Sequence, residues 1–259
     1  MKHYGLIGEK LGHSYSKLIH EQLADYTYDL IPLSKEEFHP FMKAHDFAAI
    51  NVTIPYKQDV IPYLDEISAS AKAIGAVNCI VNRDGKLCGH NTDYAGFLYT
   101  LKKNNIKITG EKVLVLGNGG AAKAVVAALA SLNPKELIIV KYKEEPGVIT
   151  YEQAALMHAD VSVIVNTSPV GMYPNVDATP INIAPYEALK AVVDIIYNPT
   201  TTKLLAQAKE RGITAVNGLE MLVAQAKYAV ELFLDTEIPE EKIEEVMNSL
   251  FAHDMQKQN

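Results

Sequence analysis

The sequence predicts an α/β fold in two domains, and three observations carry the prediction. Short apolar runs alternate with amphipathic stretches in a β-α-β order, which implies parallel strands joined by helical crossovers. Runs such as Val113-Leu114-Val115-Leu116 are too uniformly apolar to alternate between a wet and a dry face, as expected of strands covered on both sides. At 259 residues and 48% hydrophobic, the chain exceeds the common single-domain size and carries enough apolar surface for two modest cores.

Tyr4 to Ile7 reads as a strand stopped by Gly8, followed by a glycine- and serine-containing loop and an amphipathic helix from Lys17 to Leu23. Strands at Asp29 to Leu33 and Ala48 to Thr53 enclose a helix from Lys35 to Ala44. Ile61 to Ala73 is predicted helical, and Val77 to Val81 with Lys86 to Gly89 reads as a hairpin through Asp84-Gly85. After a helix from Tyr94 to Lys103, a second β-α-β unit comprises Val113 to Leu116, Ala121 to Leu132 and Leu137 to Val140. Further strands are predicted at Val161 to Val165, Ala191 to Ile195 and Thr214 to Val216, with a helix from Thr202 to Arg211. The chain is then helical from Leu219 to Leu234 and from Glu240 to about Phe251, with Pro239 at a helix start where a missing N–H does little harm. The polar tail from His253 offers no apolar face to dock, so fraying is expected there.

The net charge of −7 argues against nucleic acid and anionic membrane as partners, since either needs a basic patch that no segment supplies. The two cysteines, Cys79 and Cys88, match no metal or redox spacing and suit a reduced interior. MKHYGLIGEK has no apolar signal core, and Ala124 to Ala130 is too short to span a bilayer, so a cytoplasmic location is expected. No metal site is expected.

Gly117-Asn118-Gly119-Gly120-Ala121-Ala122 fits G-x-G-x-x-A between a strand and a helix. Glycines there let the backbone approach a pyrophosphate while the helix N-terminus faces its charge, and a plain glycine-rich turn is the competing reading. Lys57 follows a strand end, where open α/β sheets place ligands, although a solvated lysine would look the same. Asp93 opens a helical stretch, where it could simply face the helix dipole; alternatively it could position the Lys57 ammonium. A free lysine with a pKa near 10.4 is a poor base at neutral pH unless its site lowers that value, so the pair's protonation stays open. The hydroxyls of Gly12-His13-Ser14-Tyr15-Ser16 suit a carboxylate receptor or a helix N-cap.

In chain order, GLIGEKLGHSYS, NVTIPYK, GAVN, GHNTDYAG, GNGGAA, NTSPVGM, DIIYNPTTT and NGLEMLVAQA together resemble the motif series of the shikimate dehydrogenase family. The resemblance implies an α/β fold of two domains: an N-terminal α/β substrate domain, discontinuous over 1–97 and 219–259, and a Rossmann-like nucleotide domain with a parallel sheet over 98–218. It implies reversible NADP-dependent reduction of 3-dehydroshikimate to shikimate, a small-molecule substrate, with Lys57 and Asp93 as the catalytic pair. Ser14, Ser16, Thr53, Asn78, Tyr197 and Gln225 would bind substrate. Gly117, Asn118, Gly119, Gly120, Ala121, Ile195 and Gly218 would line the cofactor site. An NAD-preferring quinate/shikimate dehydrogenase shares this motif set, and a non-catalytic ligand-binding paralogue is the rival from another class.

Three departures from the family pattern stand out. Lys17 replaces a usual proline and Cys79 a usual threonine, each beside a contact rather than at one. Where the family carries Asn-Arg-Thr and a helix, this chain reads Lys141-Tyr142-Lys143-Glu144-Glu145-Pro146-Gly147 and reaches the β-like run Val148 to Thr150 at once. A parallel crossover ordinarily takes about 10–12 residues, so the run is expected either to leave its usual sheet position or to follow an irregular loop. Lys141 and Lys143 offer positive charge to a 2′-phosphate, but without arginine's planar fork.

Overall fold

The computed structural model describes residues 3–12, 14–142 and 146–257, with side chains described as far as residue 250. The chain divides into two compact units, Met1–Gly96 with Val223–Asn259 and Phe97–Leu222.

The first unit is built on β1 (Tyr4–Gly8), α1 (Ser16–Leu23), β2 (Tyr28–Pro32), α2 (Lys35–Ala44) and β3 (Ala49–Val52). β1, β2 and β3 pair in parallel, as their β-α-β-α-β order predicts. α2 begins where Ser34 and Glu37 form a reciprocal capping box, and Phe38 and Met42, one turn apart, pack on Ile7, Ile50 and Val52. The opposite face of the same strands, with Tyr4, Tyr28 and Ala49, is covered by Ala229 and Phe233. Those two residues belong to α8 (Leu219–Leu234), so the chain after the second unit packs back on the first sheet.

Ile61 to Ala73 is not one helix. A 3-10 turn at Ile61–Tyr63 gives way to β4 (Glu66–Ile67), then α3 (Ala69–Ile74). β4 is drawn to the sheet edge by β6 (Lys86–His90): Asp65 N–H donates to the Leu87 carbonyl at 2.9 Å, and Leu87 N–H donates to Asp65 Oδ2 at 2.8 Å. Ser68 then restarts a helix by accepting from Ala71 N–H. β5 (Cys79–Arg83) and β6 form the predicted hairpin, with Asp84 at φ +52° and Gly85 at φ +90° as a two-residue turn of this hand requires. β5 runs antiparallel to β3, so the sheet is mixed, in the order β2-β1-β3-β5-β6-β4.

The second unit holds most of α4 (Thr92–Lys103), then β7 (Lys112–Leu116), α5 (Gly120–Ser131), β8 (Glu136–Lys141), β9 (Ile149–Thr150) and α6 (Tyr151–Met157). β10 (Val163–Asn166), β11 (Ala191–Asp194), α7 (Lys203–Glu210) and β12 (Thr214–Val216) complete it. All of its strands pair in parallel, in the order β12-β11-β10-β7-β8-β9. β7, β10 and β11 are buried almost throughout, which accounts for their unbroken apolar runs.

Among the described residues between β8 and β9 there is no helix, in line with the sequence. β9 nevertheless keeps a sheet position, because it pairs only with Val140 and Lys141 at the end of β8. The chain therefore has to fold back over two residues rather than a full strand, and a short loop suffices. The helix follows instead as α6, which the sequence reading did not include; a capping box between Thr150 and Gln153 starts it. At the C-terminus, α9 (Glu241–Lys257) continues beyond the predicted stop near Phe251. Ile243, Val246 and Leu250 bury its first half, and the backbone ladder continues from that docked base without needing an apolar face.

Both cysteines are free and buried. Among the described residues no helix is long and apolar enough to cross a membrane, and no three His, Cys, Asp or Glu side chains are placed to hold a metal ion.

Candidate active site

A glycine-dependent approach shapes the first unit's site. Gly8 ends β1 against the segment that follows β3: a Cβ there would lie 2.5 Å from Thr53 Cγ2 and 3.2 Å from the Ile54 carbonyl oxygen. Glu9 N–H donates to Ile54 O at 3.2 Å and Thr53 N–H to Ile7 O at 2.9 Å, so Thr53 is seated at the strand ends. The chain then turns through Pro55 and Tyr56, whose hydroxyl donates to the Leu33 carbonyl, and presents Lys57. Lys57 lies in a turn, and its carbonyl accepts from Val77 N–H at 2.8 Å.

Lys57 Nζ donates to Asp93 Oδ2 at 2.6 Å. Their side chains are 14% and 12% exposed, so the charges meet in a largely desolvated setting where their attraction is stronger than at an open surface. Asp93 sits in the first turn of α4, as expected, and it faces the lysine as well as the helix dipole.

α4 is anchored there by Asn78. Thr92 N–H donates to Asn78 Oδ1 at 2.7 Å, and Asn78 Nδ2 donates to Thr92 Oγ1 at 3.0 Å. Thr92 Oγ1 in turn reaches Gln225 Oε1 at 3.4 Å. Asn91 holds the same corner by donating to the Ala76 carbonyl and accepting from Tyr94 N–H. The structure thus brings Lys57, Asp93, Asn78 and Gln225 into one hydrogen-bonded region. Ser14 and Ser16 pair with each other: Ser14 Oγ donates to Ser16 Oγ at 3.0 Å and accepts from Ser16 N–H at 3.2 Å. The N-cap of α1 is Tyr15, with no side-chain cap bond; Ser14 Oγ instead takes the N–H of Ser16, the first helical residue, and the Ser16 hydroxyl makes no cap bond. His13, between Gly12 and Ser14, lies outside the described residues.

In the second unit, β7 runs into Gly117 at φ +101°, where a Cβ would press on Thr167 Oγ1 at 3.0 Å and Ser168 N at 3.1 Å. Asn118 and Gly119 lead into α5, whose N-cap Gly119 makes no side-chain cap bond. A Cβ on Gly119 or Gly120 would meet nothing within 4 Å, so the space beside Gly119 and Gly120 is open at the positive end of the helix, where the first N–H groups have no intrahelical partner. This bare cradle fits a dinucleotide pyrophosphate. Ile195 and Gly218 meet directly, since a Cβ on Gly218 would lie 2.0 Å from the Ile195 carbonyl oxygen. Tyr197, half-buried, follows two residues later, and burial pushes its phenol above the ordinary range.

Asp194, which the sequence carries at the head of DIIYNPTTT without an assigned role, organises these loops. It is fully buried and accepts from Asn166 Nδ2 at 3.0 Å, Ile196 N–H at 3.1 Å and Thr202 Oγ1 at 2.7 Å. Burial outweighs these bonds and pushes its carboxyl up to about 6. Asn51, Asn91 and Thr92 were missed as well. The available signal was a polar residue at an inward position of an apolar run, as in Ala49-Ile50-Asn51-Val52 and Ala191-Val192-Val193-Asp194.

Lys141, the last residue of β8, is half-buried, and Tyr142 after it is 71% exposed, its ring 4.8 Å from that of Tyr151. Lys143, the other cation expected to meet a 2′-phosphate, lies outside the described residues.

Residues 6–80 match the family profile described as shikimate dehydrogenase substrate binding domain, and residues 218–247 that described as shikimate 5'-dehydrogenase C-terminal domain. The chain is 41% identical over 271 residues to the shikimate dehydrogenase (NADP(+)) of Clostridium beijerinckii, spanning 98% of this chain and 99% of that one. The chain belongs to the shikimate dehydrogenase family. Among solved structures, a chorismate mutase/shikimate 5-dehydrogenase fusion protein from Clostridium acetobutylicum is similar with a TM-score of 0.91 and 37% identity, covering 98% of each chain. The Thermus thermophilus shikimate 5-dehydrogenase, solved in complex with NADP(H) and shikimate, is similar with a TM-score of 0.86 and 27% identity over 96% of this chain and 99% of that one.

Proposed function

We propose that this protein is an NADP-dependent oxidoreductase of the cytoplasm that interconverts 3-dehydroshikimate and shikimate in aromatic amino acid biosynthesis. The observation that carries the proposal is the desolvated contact between Lys57 and Asp93 at 2.6 Å, beside the Asn78, Thr92 and Gln225 cluster. In this reading 1–97 with 219–259 bind substrate and 98–218 bind the dinucleotide.

NADP, when bound, supplies or accepts the hydride at the ring carbon; the protein's side chains handle position and proton. Asp93 holds the Lys57 ammonium in one direction, so its proton is aimed, directly or through one water, at the oxygen that alternates between carbonyl and hydroxyl. Ser14 and Ser16 receive the substrate carboxylate, whose charge strengthens each hydroxyl bond. Thr53, Asn78, Tyr197 and Gln225 bind the ring hydroxyls. Gly117, Asn118, Gly119, Gly120 and Ala121 hold the pyrophosphate at the open start of α5, and Ile195 and Gly218 line the rest of the nucleotide site.

Ser14→Ala, Ser16→Ala and Gln225→Ala are expected mainly to raise KM for shikimate, since they remove bonds to parts of the substrate that do not react. Each charge-assisted bond lost at Ser14 or Ser16 costs about 1.5–3 kcal/mol, or roughly ten- to a hundredfold in KM, and the neutral bond lost at Gln225 about 0.5–1.5 kcal/mol. Wild-type KM and kcat in all three variants would place the substrate pocket elsewhere.

The cofactor end carries its own prediction. No Asp or Glu directly ends β8 to accept a ribose 2′-hydroxyl as NAD sites prefer, while Lys141 supplies positive charge without a guanidinium fork. NADP is therefore expected to be preferred, yet bound more weakly than an Asn-Arg-Thr site would allow. The deciding experiment is shikimate oxidation followed spectrophotometrically with NADP and with NAD, together with titration of the apo-protein by each. Tight NAD binding with little response to NADP would overturn the preference, and submicromolar NADP binding would overturn the weakness. Absence of turnover with either cofactor would overturn the enzymatic reading.

A further inference from the structure

A line of buried hydrogen bonds runs from the edge of the first sheet to the catalytic pair. Tyr28, fully buried on β2, donates its hydroxyl to Asn51 Oδ1 at 2.7 Å. Asn51 Nδ2 donates to the Asn78 carbonyl at 3.1 Å, and the Asn78 side chain brackets Thr92 through two further bonds of 2.7 and 3.0 Å. Asp93 is the next residue, in contact with Lys57. Asn51, Asn78, Thr92 and Asp93 are all buried.

We propose that Tyr28 is a positioning residue for the Lys57–Asp93 pair: its hydroxyl orients Asn51, which steadies Asn78 and, through it, the start of α4 from which Asp93 reaches Lys57. The proposal rests on the reading of Lys57 and Asp93 as the catalytic pair. A buried asparagine amide can turn either end toward a neighbour, and the direction is set by which partner donates and which accepts. Tyr28 is a dependable donor, because burial holds its phenol far above the ordinary range. With a donor on Oδ1, Nδ2 is left to the Asn78 carbonyl. Without it, a buried acceptor is unsatisfied and the amide loses its directional preference.

The surroundings hold the phenol ring still. His20 stacks on it with centroids 3.9 Å apart and planes 14° apart, and burial keeps that imidazole neutral by lowering its pKa to about 3. The Tyr28 backbone is clamped to α1 at both polar atoms: its N–H donates to Glu21 Oε1 at 3.1 Å, and its carbonyl accepts from Lys17 Nζ at 2.8 Å. Lys17, one of the departures from the family pattern, thus ties an edge strand to α1.

The test is a double-mutant cycle with Tyr28→Phe and Asp93→Asn, measuring kcat and KM for shikimate oxidation at saturating NADP. Tyr28→Phe keeps the ring and is expected to lower kcat about three- to tenfold, with KM for shikimate changed less than about twofold. In the Asp93→Asn background the same substitution should lower the residual rate less than about twofold, because the group it positions is already gone. Asn51→Ala should reproduce the loss, with no further effect of Tyr28→Phe upon it, and it carries the cycle should Tyr28→Phe not fold. An equal fold-loss in both backgrounds would show that Tyr28 acts on the fold at large, and wild-type kcat in Tyr28→Phe would show that it does nothing; either overturns the proposal while leaving the catalytic pair intact. Wild-type kcat in Asp93→Asn alone would overturn both.

Discussion

Lys57→Ala is expected to lower kcat by about two to four orders of magnitude, the range for losing a positioned general acid or base, with shikimate affinity changed only a few-fold. A group that handles the transferring proton stabilises the transition state more than the bound ground state, so its removal falls on kcat rather than on KM. The substitution also leaves the Asp93 carboxylate, only 12% exposed, without its cation, so the variant should unfold more readily than the parent. The measurement is steady-state kinetics on protein shown by circular dichroism to be folded. A folded variant with near-normal kcat would remove Lys57 from the mechanism.

Gly218→Ala is expected to be the most damaging single methyl in the second unit. The added Cβ would stand 2.0 Å from the Ile195 carbonyl oxygen and 2.4 Å from its carbon, both backbone atoms that no rotamer change can move. The segments on either side are joined by Gly218 N–H to Ile196 O at 2.9 Å, so relieving the clash means breaking that bond and displacing the Ile195 to Tyr197 segment. Overpacking of this kind costs about 1–3 kcal/mol or more in stability. A shift of about 1 Å in residues that position reactants costs roughly a hundredfold in rate. Both should appear together, as a lower Tm and a fall in kcat/KM for NADP. Unchanged values of both would mean that the contact between Gly218 and Ile195 is absent from the working enzyme.

Where signals were local, the sequence was readable. α2 was legible to the residue because a capping box, an apolar pair one turn apart and a following left-handed His45 all lie within its own span. The β5–β6 hairpin was legible because Asp84-Gly85 suits the positive φ angles that its turn needs. The failures came where neighbours decided. The run from Ile61 to Ala73 looks helical alone, but β6 captures Glu66 and Ile67 as an edge strand. α6 is short, and its inward face, the half-buried Tyr151 and the buried Ala154, carries little apolar bulk beside the exposed Leu156 at 84% and Met157 at 58%, so in the sequence only its capping box marks it.

The sequence by itself determined the chemical types and their order: a lysine after a strand end, an aspartate opening a helix, paired serines, and a glycine loop between β7 and α5. Those are features of composition and short-range spacing, which is the range over which capping, turn preference and periodicity act. It could not determine that Lys57 and Asp93, 36 residues apart, meet at 2.6 Å, nor that Asn51 joins Tyr28 to Asn78. Those contacts exist because β3 lies between β1 and β5 in a register that sets Asn51 opposite Leu6 and Cys79. That register is chosen by the burial of every strand in the sheet at once, since a slip of one residue would turn Asn51 and its bonds to the other face.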